Sequence, residues 1–273
     1  MEGVLRTFVV TGANKGIGYY IARRLVDAST NYRVILCSRD EGRGNAAIEQ
    51  LVNEDASRKE RLQMQLLDIT NEDSIANFGS WVAKELGKFD VLVNNAAIAF
   101  KGDAFDSDVV STTLKPNFYG TISLTETLLP YLKEGGGVVS VGSFVGLYQK
   151  ISKENLRVEF TKNHATKQEV LDLAAKFQKA VEDNTFAEQG FPRAGYAMSK
   201  VLLHTYVRYL SRSIGDRNLK INVVNPGWCR TDMAGAKATL SADDGADSPV
   251  YVATLPTDKD DSLNGHYWSE RKR

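Results

Sequence analysis

The chain has 273 residues and a mass of 30.1 kDa; 42% of its residues are hydrophobic, and 34 Lys and Arg balance 34 Asp and Glu to a formal net charge of zero. A chain of this length folds around a core large enough to need no disulfide or metal staples, and two cysteines, Cys37 and Cys229, build no disulfide framework. Balanced charge argues against nucleic acid as a partner, because counterion-driven binding needs clustered Lys and Arg; no apolar run approaches the ~18 residues of a membrane span.

Met1-Glu2-Gly3 leads into a strand-like run with no basic, then apolar, leader, which points to a soluble cytoplasmic protein. Runs rich in Val, Ile and Leu at residues 7–10, 33–36, 62–67, 91–93, 138–141 and 221–224 alternate with stretches of helical period. Nearly continuous apolar strands between helices predict a parallel sheet buried on both faces. The expected fold is therefore α/β, a doubly wound parallel sheet of Rossmann type in a single domain spanning 1–273.

After the first strand comes Thr11-Gly12-Ala13-Asn14-Lys15-Gly16-Ile17-Gly18, then a helical run through Ile21, Leu25 and Val26. Glycines let the backbone turn closely around a pyrophosphate while the next helix directs free N–H groups at the anion. The spacing Gly-x-x-x-Gly-x-Gly differs from the commoner dinucleotide fingerprint, so its context carries the reading. At the end of the second strand an NAD site would show a carboxylate for the ribose 2′-hydroxyl, and this chain shows Ser38-Arg39. Arg39 and Lys15 offer two cations for the 2′-phosphate of NADPH. The alternative is that Arg39, followed by Asp40 and Glu41, is a solvated surface cation.

Asn94-Asn95-Ala96 closes the fourth strand, Asn117 follows in a helical stretch, and Ser143 comes just after the fifth strand. Asn117 is also open to a reading as a buried asparagine that only bridges backbone groups. From about 148 to 193 the chain is charged and loop-like, except for a helix from Thr166. There Thr166 and Glu169 have capping-box spacing, and Val170, Leu173, Phe177 and Val181 form one apolar stripe that packs on the domain. Tyr196 and Lys200 then stand on one face of the next helix, where an ammonium stabilises a phenolate. Pro226-Gly227 follows the sixth strand.

The glycine loop, Asn94-Asn95-Ala96, Asn117, Ser143, Tyr196 with Lys200, and Pro226-Gly227 stand in the order found in the short-chain dehydrogenase/reductase family, which the chain resembles from Arg6 to about Trp268. Within it the chain is most similar to the NADPH-dependent carbonyl reductases, through the glycine loop, the residues from Asn94 to Lys101, the residues from Pro226 to Gly235, and the long connection before Tyr196. That resemblance implies hydride transfer from NADPH to a ketone, aldehyde or quinone, with Tyr196 as proton donor, Lys200 lowering the tyrosine pKa and holding the nicotinamide ribose, and Ser143 donating to the carbonyl oxygen. Asn117 would hold a water that relays protons to Lys200.

The same resemblance assigns Gly12, Asn14, Lys15, Gly16, Ile17 and Gly18 to the cofactor, with Lys15 and Arg39 on the 2′-phosphate, Asp68 and Ile69 beside the adenine, and Asn95 and Ala96 along the ribose. Pro226, Gly227, Cys229, Arg230 and Thr231 would lie near the nicotinamide. Phe144, Trp228 and Met233 would line an apolar substrate pocket with Ser143 and Tyr196. The insertion implies a monomer. Two departures stand out: Ala97 replaces a usual glycine, and Gly142 replaces the serine that commonly precedes Ser143.

Other chemistries find less support. His164, His204 and His266 are far apart in sequence and suit packing or surface roles, neither cysteine has paired-ligand spacing, and no Gly-x-Ser-x-Gly elbow surrounds Ser143. A second class remains open, a cofactor-binding sensor or scaffold on the same fold. Quinones and bulky ketones suit the pocket, and so do steroid, prostanoid, terpenoid and alkaloid ketones.

Overall fold

The computed structural model describes residues 5–273; Met1-Glu2-Gly3, read above for want of a leader, lies outside them. In chain order come β1 (Arg6–Thr11), α1 (Gly16–Ala28), β2 (Tyr32–Ser38), α2 (Glu41–Glu54), β3 (Leu62–Leu66), α3 (Glu72–Trp81) and β4 (Phe89–Asn94). Next, α4 (Ser107–Leu114) and α5 (Thr121–Leu128) are joined by a π-helical turn, Lys115–Gly120, ahead of β5 (Leu132–Val141). The rest comprises α6 (Glu154–Thr161), α7 (Lys167–Glu182), α8 (Phe186–Gln189), α9 (Gly195–Ser213), β6 (Lys220–Asn225), α10 (Ala242–Ala253) and β7 (Tyr267–Ser269).

The strands form one parallel sheet in the order β3-β2-β1-β4-β5-β6-β7. Side chains alternate across it, as a period of two requires. Phe8, Val10, Val34 and Leu36 pack with Ile21 and Leu25 of α1 on one face, while Val9, Ile35 and Leu92 pack with Phe118 and Met198 on the other. All eleven are fully buried, which is why the inner strands read as continuous apolar runs. The expected doubly wound sheet is the one observed. Strand order reverses at β1, which lies between β2 and β4, and in such sheets the crevice beyond the carboxyl ends there is where ligands bind.

Three elements depart from the sequence reading. The strand β7 extends the sheet past β6 and is only three residues long, too short for an alternation to register. The stretch after 148 is not simply loop-like, since α6 forms there with Leu156 and Phe160 buried at one-turn spacing among charged neighbours, and α8 adds one further turn. The predicted α7 is as read. Thr166 and Glu169 close a reciprocal capping box, Val170, Leu173, Phe177 and Val181 are buried, and the helix packs against α4 and α9.

Candidate active site

Parallel strands all end at one edge of the sheet, so residues that follow different strands in sequence are gathered there. Gly12 follows β1, Arg39 β2, Asp68 β3, Asn95 β4, Ser143 β5 and Pro226 β6. In the glycine loop, Gly12 and Gly16 have φ of +61° and +58°, the left-handed region that side chains disfavour. A Cβ at Gly18 would lie 2.4 Å from the Asn95 amide nitrogen and 2.6 Å from the Gly12 carbonyl oxygen, so α1 presses directly on the loop. Five long helices carry a side-chain cap, from Asp40, Asn71, Asp106, Thr166 and Ser241; α1 begins at Lys15 with no such cap and no acidic residue in its first turn. Its leading N–H groups and positive dipole end are therefore open to an anion, and a pyrophosphate fits this cradle. Asn14 and Ile17 are half-buried within the loop, with Ile17 facing α10 near Gly245.

The loop is held from below. Thr11 Oγ1 accepts from the main-chain nitrogens of Asn95 (2.9 Å) and Ala96 (3.0 Å), and the Asn95 amide donates to the carbonyls of Thr11 (2.9 Å) and Gly12 (3.2 Å). The side chain expected along the ribose thus braces the glycine turn.

Two cations stand at the rim. Arg39 is exposed and has no ion-pair partner among the described residues, whereas Lys15 donates to Asp232 at 2.7 Å across to the loop after β6. This pair is largely exposed, and its ammonium holds the Asp232 carboxyl below the usual range. Asp40, the nearest candidate carboxylate for a ribose, is turned away. It caps α2 by accepting from the Arg43 main-chain nitrogen at 2.8 Å and from the Arg43 guanidinium at 3.0 Å.

At the other end, Tyr196 opens α9 and Lys200 lies one turn on. Ser143 lies beside the tyrosine hydroxyl, the lysine Nζ sits 5.6 Å from the tyrosine ring centroid, and it donates to the Val141 carbonyl at 2.7 Å. The sequence thus brings the glycine loop and the Tyr196 and Lys200 pair to one edge. The electrostatics differ from expectation. Tyr196 is partly exposed; desolvation of its hydroxyl pushes it up to about 12, while Ser143 beside it opposes this. Burial lowers Lys200 to about 8. The polypeptide alone does not bring the tyrosine toward neutrality; it keeps a protonated acid beside a lysine that is still mainly ammonium at pH 7.

Asn117 lies in the π-helical turn with its side chain fully engaged. Its amide donates to the Ile98 carbonyl (2.8 Å) and to Ser199 Oγ (3.1 Å), and its Oδ1 accepts from the Ile98 nitrogen (2.8 Å). The side chain bridges the main chain of Ile98 to Ser199. That turn was not legible, although Pro116, which has no N–H to give, lies inside it.

The side chains of several residues expected at the cofactor are engaged within the protein. Cys229 is buried against Gly245 of α10, its thiol donates to the Pro226 carbonyl at 3.2 Å, and burial pushes it up to about 11. Arg230 binds the carbonyls of Ala238 (3.2 Å) and Thr239 (2.8 Å), closing its own loop. Ile69 has its side chain in the core, and the Asp68 carboxylate accepts from Thr70 nitrogen and Oγ1 at 2.8 and 2.7 Å. Thr231 does face Gly16, and Gly227 takes the positive φ of +82° that turns the chain after Pro226. Phe144 and Trp228 are each 46% exposed and Met233 37%, an unusual amount of large apolar surface for one edge. His204, given a packing or surface role from the sequence, is buried: it lies one turn beyond Lys200 on the same face and reaches Gly142 and Gly146 on either side of Ser143, a position that the Tyr196 to Lys200 spacing extended by four residues identifies.

Fold and site together define a dinucleotide-binding α/β domain with a Ser, Tyr and Lys cluster at the carboxyl ends of its strands. The chain belongs to the short chain dehydrogenase family: residues 6–155 match the model of that description, and residues 168–256 match one described as enoyl-(acyl carrier protein) reductase. Curated relatives named carbonyl reductase [NADPH] 1 are 39% identical in Bos taurus (97% of this chain and 96% of the relative) and 37% identical in Homo sapiens (100% and 99%). Among solved structures, salutaridine reductase from Papaver somniferum superposes with a TM-score of 0.85 at 26% identity, covering 96% of this chain and 99% of that one. Menthone neomenthol reductase from Mentha piperita gives 0.83 at 26%, covering 99% and 100%.

Proposed function

We propose that the protein is an NADPH-dependent carbonyl reductase that converts ketones, aldehydes or quinones to alcohols. The observation that carries this reading is the cluster of Ser143, Tyr196 and Lys200 beside an uncapped α1. The family membership and the NADPH named for the curated relatives support it. A pure binding protein has no use for a buried lysine held against a protonated tyrosine.

When bound, reduced nicotinamide supplies hydride to the carbonyl carbon. Ser143 orients the carbonyl oxygen and stabilises the charge that develops on it. Tyr196 gives that oxygen its proton, a favourable transfer because an alkoxide is far more basic than a phenolate. Lys200, fixed to the end of β5, stabilises the phenolate left behind. Asn117 contributes through the turn it stabilises. Lys15 exchanges its exposed partner Asp232 for the 2′-phosphate, and Arg39 meets the same group; exposed ion pairs are weak enough to be exchanged. Gly12, Gly16 and Gly18 shape the pyrophosphate cradle, Thr231 faces it, and Phe144, Trp228 and Met233 offer surface to a bulky apolar carbonyl compound. We further propose one domain with residues 148–193 inserted, a monomeric state supported by α7 lying over α4 and α9, and a cytoplasmic location supported by two free, buried cysteines.

The test is NADPH oxidation with a panel of quinones, aromatic ketones and aldehydes, alongside Tyr196→Phe. Turnover should fall about 10²–10⁴-fold in the variant, the usual contribution of a positioned acid. No oxidation with any substrate, or an unimpaired variant, overturns the reading.

A further inference from the structure

Ser143 sits in a turn that carries glycine on both sides, at Gly142 and Gly146, and neither has a left-handed φ that would demand glycine. The reason is steric. A Cβ on Gly142 would lie 2.4 Å from His204 Nε2 and 2.4 Å from Val223 Cγ1. One on Gly146 would lie 2.8 Å from His204 Cε1 and 2.6 Å from Lys200 Cβ. The imidazole, with Val223 and Lys200, therefore occupies the space that side chains at 142 and 146 would fill. His204 is 5% exposed, and its Nε2 has no protein partner. From behind, Tyr267 of β7 closes it in, with ring centroids 5.3 Å apart at 57°.

The turn has few other restraints. Gly142 nitrogen donates to the Val224 carbonyl at 2.8 Å, Gly146 nitrogen to the Ser143 carbonyl at 3.0 Å, and Val145 nitrogen to Ser143 Oγ at 3.3 Å. Gly142 and Gly146 bring no side chain of their own to pack beside this turn, so the space has to be filled from α9. His204 does so from the same helix face that presents Tyr196 and Lys200.

We propose that His204 is a positioning residue for the reaction: by wedging against Gly142 and Gly146 it holds the turn that presents the Ser143 hydroxyl beside Tyr196. The proposal rests on the reading of Ser143, Tyr196 and Lys200 given above. It also accounts for Gly142 where the family commonly has serine, because imidazole at 204 and a side chain at 142 exclude one another. Burial beside the Lys200 ammonium keeps the ring neutral, lowering it to about 3, so the wedge keeps its form across the working pH range.

The test is steady-state kinetics of His204→Ala with NADPH and the best carbonyl substrate, together with an NADPH fluorescence titration and a melting curve. Displacing a reacting group by about 1 Å costs up to ~100-fold, so kcat should fall about 10–100-fold. NADPH affinity should stay within about twofold, because no phosphate contact is touched. A loss that arises from general loosening weakens NADPH binding and folding in proportion, and that outcome overturns the proposal, as does unchanged kcat. A second measurement guards against a poorly folding variant. In a Val223→Ala background, which removes the other obstructing atom, Gly142→Ala and His204→Ala are compared singly and together. If His204 is the wedge, the new methyl takes over part of its role and the combined variant is more active than either single one; additive losses overturn the idea. Tyr196→Phe run in parallel separates the two failures. If that variant keeps full activity, the reading of the site fails, whereas an inactive Tyr196→Phe beside a fully active His204→Ala removes only the wedge.

Discussion

Lys200 shows at the scale of one residue how function is set against stability. Burial depresses its pKa from 10.5 to about 8, so below pH 8 the folded protein carries an ammonium that the unfolded chain would solvate better. At about 1.4 kcal/mol per unit, the cost is on the order of 3 kcal/mol. It is fully present below about pH 8 and disappears as pH rises through the unfolded value near 10.5, since a folded state that binds fewer protons gains stability with rising pH. Lys200→Met should therefore melt at a higher temperature than the parent at pH 7, with the gap closing by pH 10, and should lose turnover. A variant that melts lower at pH 7 contradicts this. At the opposite end of the cleft, Arg39→Asp should lower the NADPH to NADH preference by about 10–100-fold, the worth of a hydrogen bond to a charged group. Unaltered preference in paired kcat/KM measurements returns Arg39 to the role of a solvated cation. The Asp40 carboxylate is held by the α2 cap, which the sequence Arg39-Asp40 cannot show.

At the scale of elements, the π-helical turn between α4 and α5 has a sterically exacting residue. A Cβ on Gly120 would lie 1.9 Å from the Ile69 carbonyl oxygen, so the loop after β3 crosses the helix in direct backbone contact. Helix propensity by itself favours alanine over glycine by about 1 kcal/mol, but no flexible side chain is there to move aside, and the clash wins. Gly120→Ala is expected to lower the melting temperature sharply, and a neutral or stabilising result means that the two backbones do not meet. The sequence readings of α1, α7 and α9 succeeded because each has a full apolar stripe, with the α7 capping box as an added start signal. They failed for α6 and β7, where two buried side chains or three residues leave too little pattern. Both short elements take their stability from what they pack against: α6 lies on α9, and β7 pairs with β6.

For the whole molecule, α7 lies over α4 and α9 and buries the apolar stripe that would otherwise be exposed. The purified protein should elute as a single monomeric species in size-exclusion chromatography across micromolar concentrations; a stable tetramer contradicts the proposed role of the insertion. Phe177→Ala, which removes a fully buried ring from that contact, should cost about 3–5 kcal/mol in urea denaturation and favour self-association by loosening the covering helix.

Strand hydrophobicity, the glycine loop and the Tyr196 to Lys200 spacing were legible because each depends on local periodicity, and the parallel order then brought every strand end to one edge. What the tertiary structure decided were directions and partners. Cys229 and Arg230 face their own loop and α10, Asn95 braces the glycine turn, Lys15 meets Asp232, and His204 fills the space beside Ser143. The reason is physical: sequence spacing places a residue on a face of its own element. Whether its side chain meets cofactor, carboxylate or a bare glycine is set by what another part of the chain brings within about 3 Å of it.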